Sequence, residues 1–455
     1  MTDRAASAED PIAQDLRSVW HPFTQMREWL ADEPLVIERA EGNELIDVRG
    51  RRYLDGVSSL WCNVHGHRHP RIDDAIREQL DRVAHTTMLG LTHPGAARLA
   101  DELVGIVPGG LTRVFYSDAG ATAVEIALKM AFQYWALRGE TRRSRFASLV
   151  EAYHGDTIGA MSLGYSEAFH RLHRPLLFDV ARLTPPHVFR WERGLDAGEA
   201  LRAAIEEARR TMAAIGDTLA ALIVEPLVQG AAGIWTQPPE YLTELARLAR
   251  EAGTLLICDE VATGFGRTGT MFACEQAGVA PDILCMGKGL TGGYLPLAAT
   301  LATEDVFAQF LGAYEQRIAL FHGHTFTGNP LGCAAALASL EVFREEGTLA
   351  HAAEMALLLA DRLASEIAPL ECVGDVRQRG LMVGIELVVD RARRKPFDSA
   401  SRVGHRACLR AREHGVVIRP LADTVVLMPP LSIRRDEIEK LVGAAAAGIR
   451  EATGS

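Results

Sequence analysis

Short apolar runs separated by helix-patterned stretches fill the middle of the chain. The runs are Val114–Tyr116, Phe146–Val150, Ala221–Val224, Leu255–Cys258 and Ile283–Met286. Runs this short, without polar alternation and bounded by glycine or acidic turns, are the pattern of strands buried on both faces of a parallel sheet. Between them apolar residues recur at helical spacing. Val124, Ala127, Leu128 and Ala131 share one stripe, and EALRAAIEEARRTMAAI is amphipathic. This alternation predicts an α/β fold with helices on a large, mostly parallel sheet.

The flanks read differently. From Pro34 to Trp61 strand-like pieces alternate with turns at Gly42, Gly50 and Gly56, a meander too small to stand alone, and Pro70 opens a helix with Ile72, Ala75, Ile76 and Leu80 on one face. The C-terminal part alternates helices with short strands (RGLMVGIEL, GVVIRP, TVVLMPPL). The expected organisation is a flexible N-terminus at 1–18, rich in small and polar residues, and a large α/β/α domain at 76–340. A smaller α+β domain is built from both chain ends, 19–75 and 341–455.

Chemistry enters at the ends of two runs. Leu255–Cys258 ends on Asp259-Glu260, and Ile283–Met286 is followed by Lys288 between glycines. Ligands of such sheets bind outside the carboxyl ends of the strands. An acid and an amine offered there suit a cofactor with an electrophilic carbonyl and a basic ring nitrogen, as in pyridoxal phosphate. The alternatives are a loop lysine without chemistry and a nucleotide hydrolase whose acid holds magnesium; the second lacks any GxxxxGK[ST] run. Ser117-Asp118-Ala119-Gly120-Ala121 feeds a long helix, and exposed N–H groups at its start are an anion site or a plain cap. Tyr153 leaves another strand end toward the same crevice, where its ring can stack on a planar group, while His154 has the weaker case. Trp61 reads as core or as the wall of a substrate pocket, Thr325 as a phosphate ligand or a turn hydroxyl. Arg419, between apolar strands, needs an anion or a route to solvent.

Composition narrows the partners. A net charge of −11, with 24% charged and 48% hydrophobic residues, argues against nucleic acid and anionic membranes. No apolar run reaches the roughly eighteen residues a membrane span needs, and the N-terminus shows no signal or transit pattern. Seven dispersed cysteines without a CxxC pair read as reduced thiols of a cytoplasmic protein. His65, His67 and His69 alternate without a partner acid in sequence and are read as turn and surface residues, so no metal is expected.

The stretches WHPFTQM, SDAGATAVEIALKMAFQYW, YHGDTIGAMS, DEVATGFGRTGTMFACE, GKGLTGGYLPLA, HTFTGNPLGCAAA and IRPLADTVVLMPP together resemble the class III aminotransferases, from about Trp20 to the last helix. Within that family the likeness is strongest to the branch that aminates 8-amino-7-oxononanoate in biotin biosynthesis. The resemblance implies a fold type I pyridoxal-phosphate enzyme, a homodimer with its active site at the subunit interface. It implies that Lys288 holds the cofactor and shuttles the proton, and that Asp259 pairs with the pyridine nitrogen. Gly120 and Ala121 would bind the phosphate, with His324 and Thr325 from the other subunit. Tyr153 would stack on the ring, Arg419 would bind the substrate carboxylate, and Trp61 and Gly323 would line the substrate. Phe23 and Leu60 stand where many members have tyrosine and tryptophan, which bears on the amino donor: S-adenosylmethionine for the family at large, lysine for one branch. An ω-amino-acid or diamine:pyruvate transaminase is the alternative activity.

Overall fold

The computed structural model describes residues 10–31, 34–187, 189 and 195–454. In chain order, β1 (Ile37–Glu41), β2 (Glu44–Asp47) and β3 (Arg52–Asp55) form an antiparallel meander. The middle of the chain contributes β4 (Leu111–Ser117), β5 (Arg145–Leu149), β6 (Val180–Leu183) and β7 (Leu219–Val224). A short hairpin of β8 (Val228–Gln229) and β9 (Trp235–Thr236) follows, then β10 (Leu255–Asp259), β11 (Ile283–Met286) and β12 (Ala298–Thr303). All of these but the hairpin join one seven-stranded sheet in the order β4-β12-β11-β10-β7-β5-β6.

The sheet is parallel except at β12, which runs antiparallel to both β11 and β4. The reversal has a local cause. A parallel return needs a crossover, and between Met286 and Ala298 the chain makes only one helical turn, Lys288–Thr291.

Strand periodicity separates two cores. Ile257, Ile283, Cys285 and Ala298 face the Gly120–Leu137 helix, while Leu256, Cys258, Leu284 and Met286 face the opposite layer. Full burial of an isoleucine such as Ile257 contributes about 1.5–3 kcal/mol, so the strand ends that carry the polar residues are firmly held.

The chain ends share structure. β13 (Val373–Arg379), β14 (Met382–Leu387), β16 (Arg419–Leu421) and β17 (Thr424–Leu427) form an antiparallel sheet, whereas β15 (Val416–Val417) leaves it to pair parallel with β3. Asn43 ties the same junction, donating to the Ser432 carbonyl and to Glu437. The N-terminus departs from expectation: Pro11–Ser18 is helical, while residues 1–9 lie outside the described residues. Asp10 caps this helix by accepting from the Ile12 N–H, and proline stands at its first position. Asp15 on it accepts from the Trp29 indole.

Candidate active site

The carboxyl ends of β5, β7, β10 and β11 open onto a cavity of about 400 Å³. Lys288, Asp259, Gly120, Ala121, Tyr153 and Trp61 all line it, with His154, Asp156 and Glu225 among their neighbours. Asp259 is the last residue of β10 and is buried. Its two oxygens are separately anchored: Oδ2 lies 2.7 Å from Nδ1 of His154, and Oδ1 accepts from the Val261 N–H at 3.1 Å. His154 is buried, and its Nε2 has no hydrogen-bond partner. Donation from Nδ1 to Asp259 leaves Nε2 as an acceptor facing no donor.

Lys288 follows β11 in the left-handed region, at φ 42°. Strain of this kind costs about 1–3 kcal/mol and is retained where the surroundings over-determine the conformation. Its side chain opens onto the cavity, with Nζ 5.1 Å from the centre of the Trp61 ring. Burial lowers the Lys288 pKa, opposed by the carboxylates of Asp259 and Glu225. Trp61 is itself held in an unusual turn, with φ values of 52°, 60° and 64° at Ser58, Ser59 and Trp61. Asp55 sustains that turn by accepting from the N–H groups of Val57 and Ser59, and Ser58 Oγ donates to the Met428 carbonyl. The indole is thus both core and cavity wall.

Gly120 opens an eighteen-residue helix that has no side-chain cap hydrogen bond. A Cβ at Gly120 would stand 2.5 Å from Val261 Cγ1, so any side chain there must displace Val261, and backbone rather than side chain faces the cavity. Gly155 closes the other side at φ 124°, where a Cβ would meet that of Ala121 at 2.4 Å. Uncapped N–H groups at the positive end of a long helix, in a cradle without room for side chains, fit a phosphate. Asp259 and Lys288 fit the ring nitrogen and the aldehyde of the same group.

Tyr153 donates its phenol to Asp156 at 2.6 Å and stacks on His170, with centroids 6.4 Å apart and planes 16° apart. Burial pushes the phenol pKa well up, with the neighbouring carboxylates adding to it. Glu225 follows β7 directly and is 5% exposed. Oε2 accepts from the Tyr153 N–H and Oε1 from the Gly230 N–H, both at 2.9 Å. Burial raises its pKa to about 7.

Other sequence-selected residues lie outside this cavity in a single chain. Phe23 is exposed and meets Phe169 edge-on at 5.7 Å, and Leu60 is half exposed beside Trp61. Gly323 and Thr325 are exposed, while His324 Nδ1 lies 3.1 Å from Asp118, two residues before Gly120. Arg419 reaches solvent at the start of β16. The reading of His65, His67 and His69 as surface residues without partner acids needs correction. His65 is buried against Ser339, His67 bonds Asp55 and His69 bonds Glu346, so each ring serves a separate packing contact. Sequence reasoning underrated His154, whose only signal was its place beside Tyr153 at a strand end.

A lysine and an anchored acid at adjacent strand ends, facing an uncapped helix N-terminus, define a fold type I pyridoxal-phosphate site. The chain belongs to the class-III aminotransferase family, which matches residues 27–447. It is 56% identical over 94% of its length to the adenosylmethionine-8-amino-7-oxononanoate aminotransferase of Nitratidesulfovibrio vulgaris, covering 79% of that protein. It is 49% identical to the protein of the same name from Geobacter sulfurreducens, with 97% of each chain covered. Among solved structures, that of the same name from Methanocaldococcus jannaschii superposes with a TM-score of 0.92 at 44% identity, covering 97% of this chain and 98% of that one. An amine transaminase from an uncultivated Pseudomonas species, in its PLP-bound form, gives 0.90 at 38% identity over 95% and 98%.

Proposed function

We propose that the protein transfers an amino group from a donor amine to the ketone of 8-amino-7-oxononanoate, giving 7,8-diaminononanoate in biotin biosynthesis. The observation that carries the substrate is identity rather than shape. Amine transaminases superpose about as well, but at 30–38% identity, whereas proteins named for the oxononanoate reaction reach 56% across nearly the whole chain. The cofactor is pyridoxal phosphate.

When bound, the cofactor supplies an aldehyde that exchanges amino groups and a ring that accepts electrons. Gly120 and Ala121 would hold its phosphate through backbone N–H groups, and Tyr153 would flank the ring. Asp259, fixed by His154 and the Val261 N–H, would pair with the pyridine nitrogen and keep its proton. Lys288, its ammonium disfavoured by burial, would hold the aldehyde group and would be the base and acid that moves the proton at the substrate carbon. Trp61 excludes water beside Nζ. Two copies of the chain form the working unit, in the cytoplasm. The second copy brings Gly323, His324 and Thr325 to the cavity, Arg419 binds the substrate carboxylate, and Phe23 and Leu60 shape the donor pocket.

The donor is S-adenosyl-L-methionine; faster reaction of the holoenzyme with lysine in a single half-reaction would replace it. The structural likeness to amine transaminases supports a second reading, an ω-amino-acid or diamine:pyruvate transaminase. Acceptor assays separate the two. Turnover with 8-amino-7-oxononanoate, together with rescue of a biotin auxotroph lacking this step, supports the proposal, and turnover with pyruvate alone refutes it.

A further inference from the structure

Glu225 is a carboxylate inside the cavity without a standing cation. Both oxygens accept backbone N–H groups, from Tyr153 and Gly230, and among the described residues no arginine or lysine is ion-paired with it. Its titratable neighbours are His154, Asp259, Tyr153 and Lys288. His154 is already committed to Asp259, and Lys288 to the cofactor. A buried carboxylate is stable as an anion only when paired, and here the walls supply dipoles and two nearby bases, His154 and Lys288, that are committed elsewhere. Burial accordingly holds its pKa near 7, the signature of an acid whose cation is missing.

The missing charge fits the ligand. We infer that Glu225 is the counter-ion for a second ammonium on the substrate, carried by the carbon next to the one that reacts. The inference rests on the substrate reading above: 8-amino-7-oxononanoate has an amine beside its ketone and a carboxylate at the far end. Glu225 and Lys288 border one cavity, so a substrate whose ketone carbon meets Lys288 has the Glu225 carboxylate in the same enclosure for its adjacent ammonium. The same negative charge repels the distant carboxylate and so fixes which arm of the ketone points where. The site therefore selects α-amino ketones and vicinal diamines over plain ketones and monoamines.

The test compares 8-amino-7-oxononanoate with 7-oxononanoate as acceptors for the wild-type holoenzyme, Glu225→Gln and Glu225→Asp, with binding of each ketone to the same holoenzymes measured by calorimetry. Glu225→Gln is expected to reduce the preference for the amino ketone roughly tenfold to a hundredfold, in kcat/KM and in Kd, as loss of a charged hydrogen bond does. Glu225→Asp keeps most of the preference even where both rates fall. An equal loss with both ketones, or an undiminished preference in Glu225→Gln, overturns the assignment. A wild-type enzyme that does not turn over the amino ketone sinks the substrate reading separately. In that event, calorimetric preference for a vicinal diamine over its monoamine, lost in Glu225→Gln, still decides the role of Glu225.

Discussion

Asp259 works as one end of a hydrogen-bonded unit. His154 and the Val261 N–H occupy one lone pair on each oxygen and set the plane of the carboxylate. Replacing Asp259 by Asn removes the charge proposed to keep a ring proton, and a fall in transamination of roughly 10²–10³-fold is expected; an unchanged rate would speak against the electron-accepting role. His154→Phe keeps the packing volume but not the hydrogen bond. The expected result is a loss of roughly tenfold together with a shift in the pH dependence of the cofactor absorbance, a readout that simple destabilisation does not move. Asp259 and Lys288 were legible in the sequence because each ends an apolar run. The role of His154 was not, since its partner lies 105 residues away and only folding brings the two strand ends together.

Glu225 adds a pH effect at the same scale. Its folded pKa of about 7 stands above the ordinary 4.5, so between these values the folded protein holds a proton that the unfolded chain has released. Stability therefore falls as pH rises through this window, by on the order of 3 kcal/mol in total for the ligand-free protein. Denaturant titrations at the two ends of the window should show that drop in the wild type and a much smaller one in Glu225→Gln. A slope that survives the substitution would place its source elsewhere.

Among the elements, the Gly120 turn carries the clearest dependence of function on shape. Gly120→Ala must displace Val261, which follows the Asp259-Glu260 pair, so one methyl group disturbs both the phosphate end and the acid. We expect a stability loss of about 1–3 kcal/mol and a cofactor dissociation constant raised at least about tenfold, measured by thermal unfolding and by cofactor titration. Cofactor affinity equal to the wild type would show that this turn is not the phosphate cradle. Buried strands were read correctly in type because an apolar run has few alternatives; their ends shifted by up to three residues, at the start of β4. The antiparallel course of β12 was hidden, because direction depends on the length of the connection and not on the strand's own residues. The Pro11–Ser18 helix was missed because its helical signal is a cap and a proline outweighed by polar composition.

For the whole molecule, one chain brings the residues of the reactive centre together, and the proposed pocket around it calls on a second copy. Apart from Trp61, which follows β3 of the small meander, the sequence-selected residues that line the cavity follow strand ends of the large sheet, which is why spacing and run endings exposed them. Gly323 and Thr325 lie on exposed segments in the single chain, and their assignment depends on a second copy that sequence periodicity cannot place. Sedimentation of the holoenzyme should give a dimer, and a monomer with full activity would remove the roles given to those residues.

The central claim, amine transfer through Lys288 onto 8-amino-7-oxononanoate, is tested most directly by the absorbance of the bound aldehyde. Excess donor without acceptor should bleach it once per subunit, and 8-amino-7-oxononanoate should then restore it. Lys288→Ala should slow both phases by at least about 10³-fold. Recovery with pyruvate but not with 8-amino-7-oxononanoate, or both phases at the wild-type rate in Lys288→Ala, would contradict it.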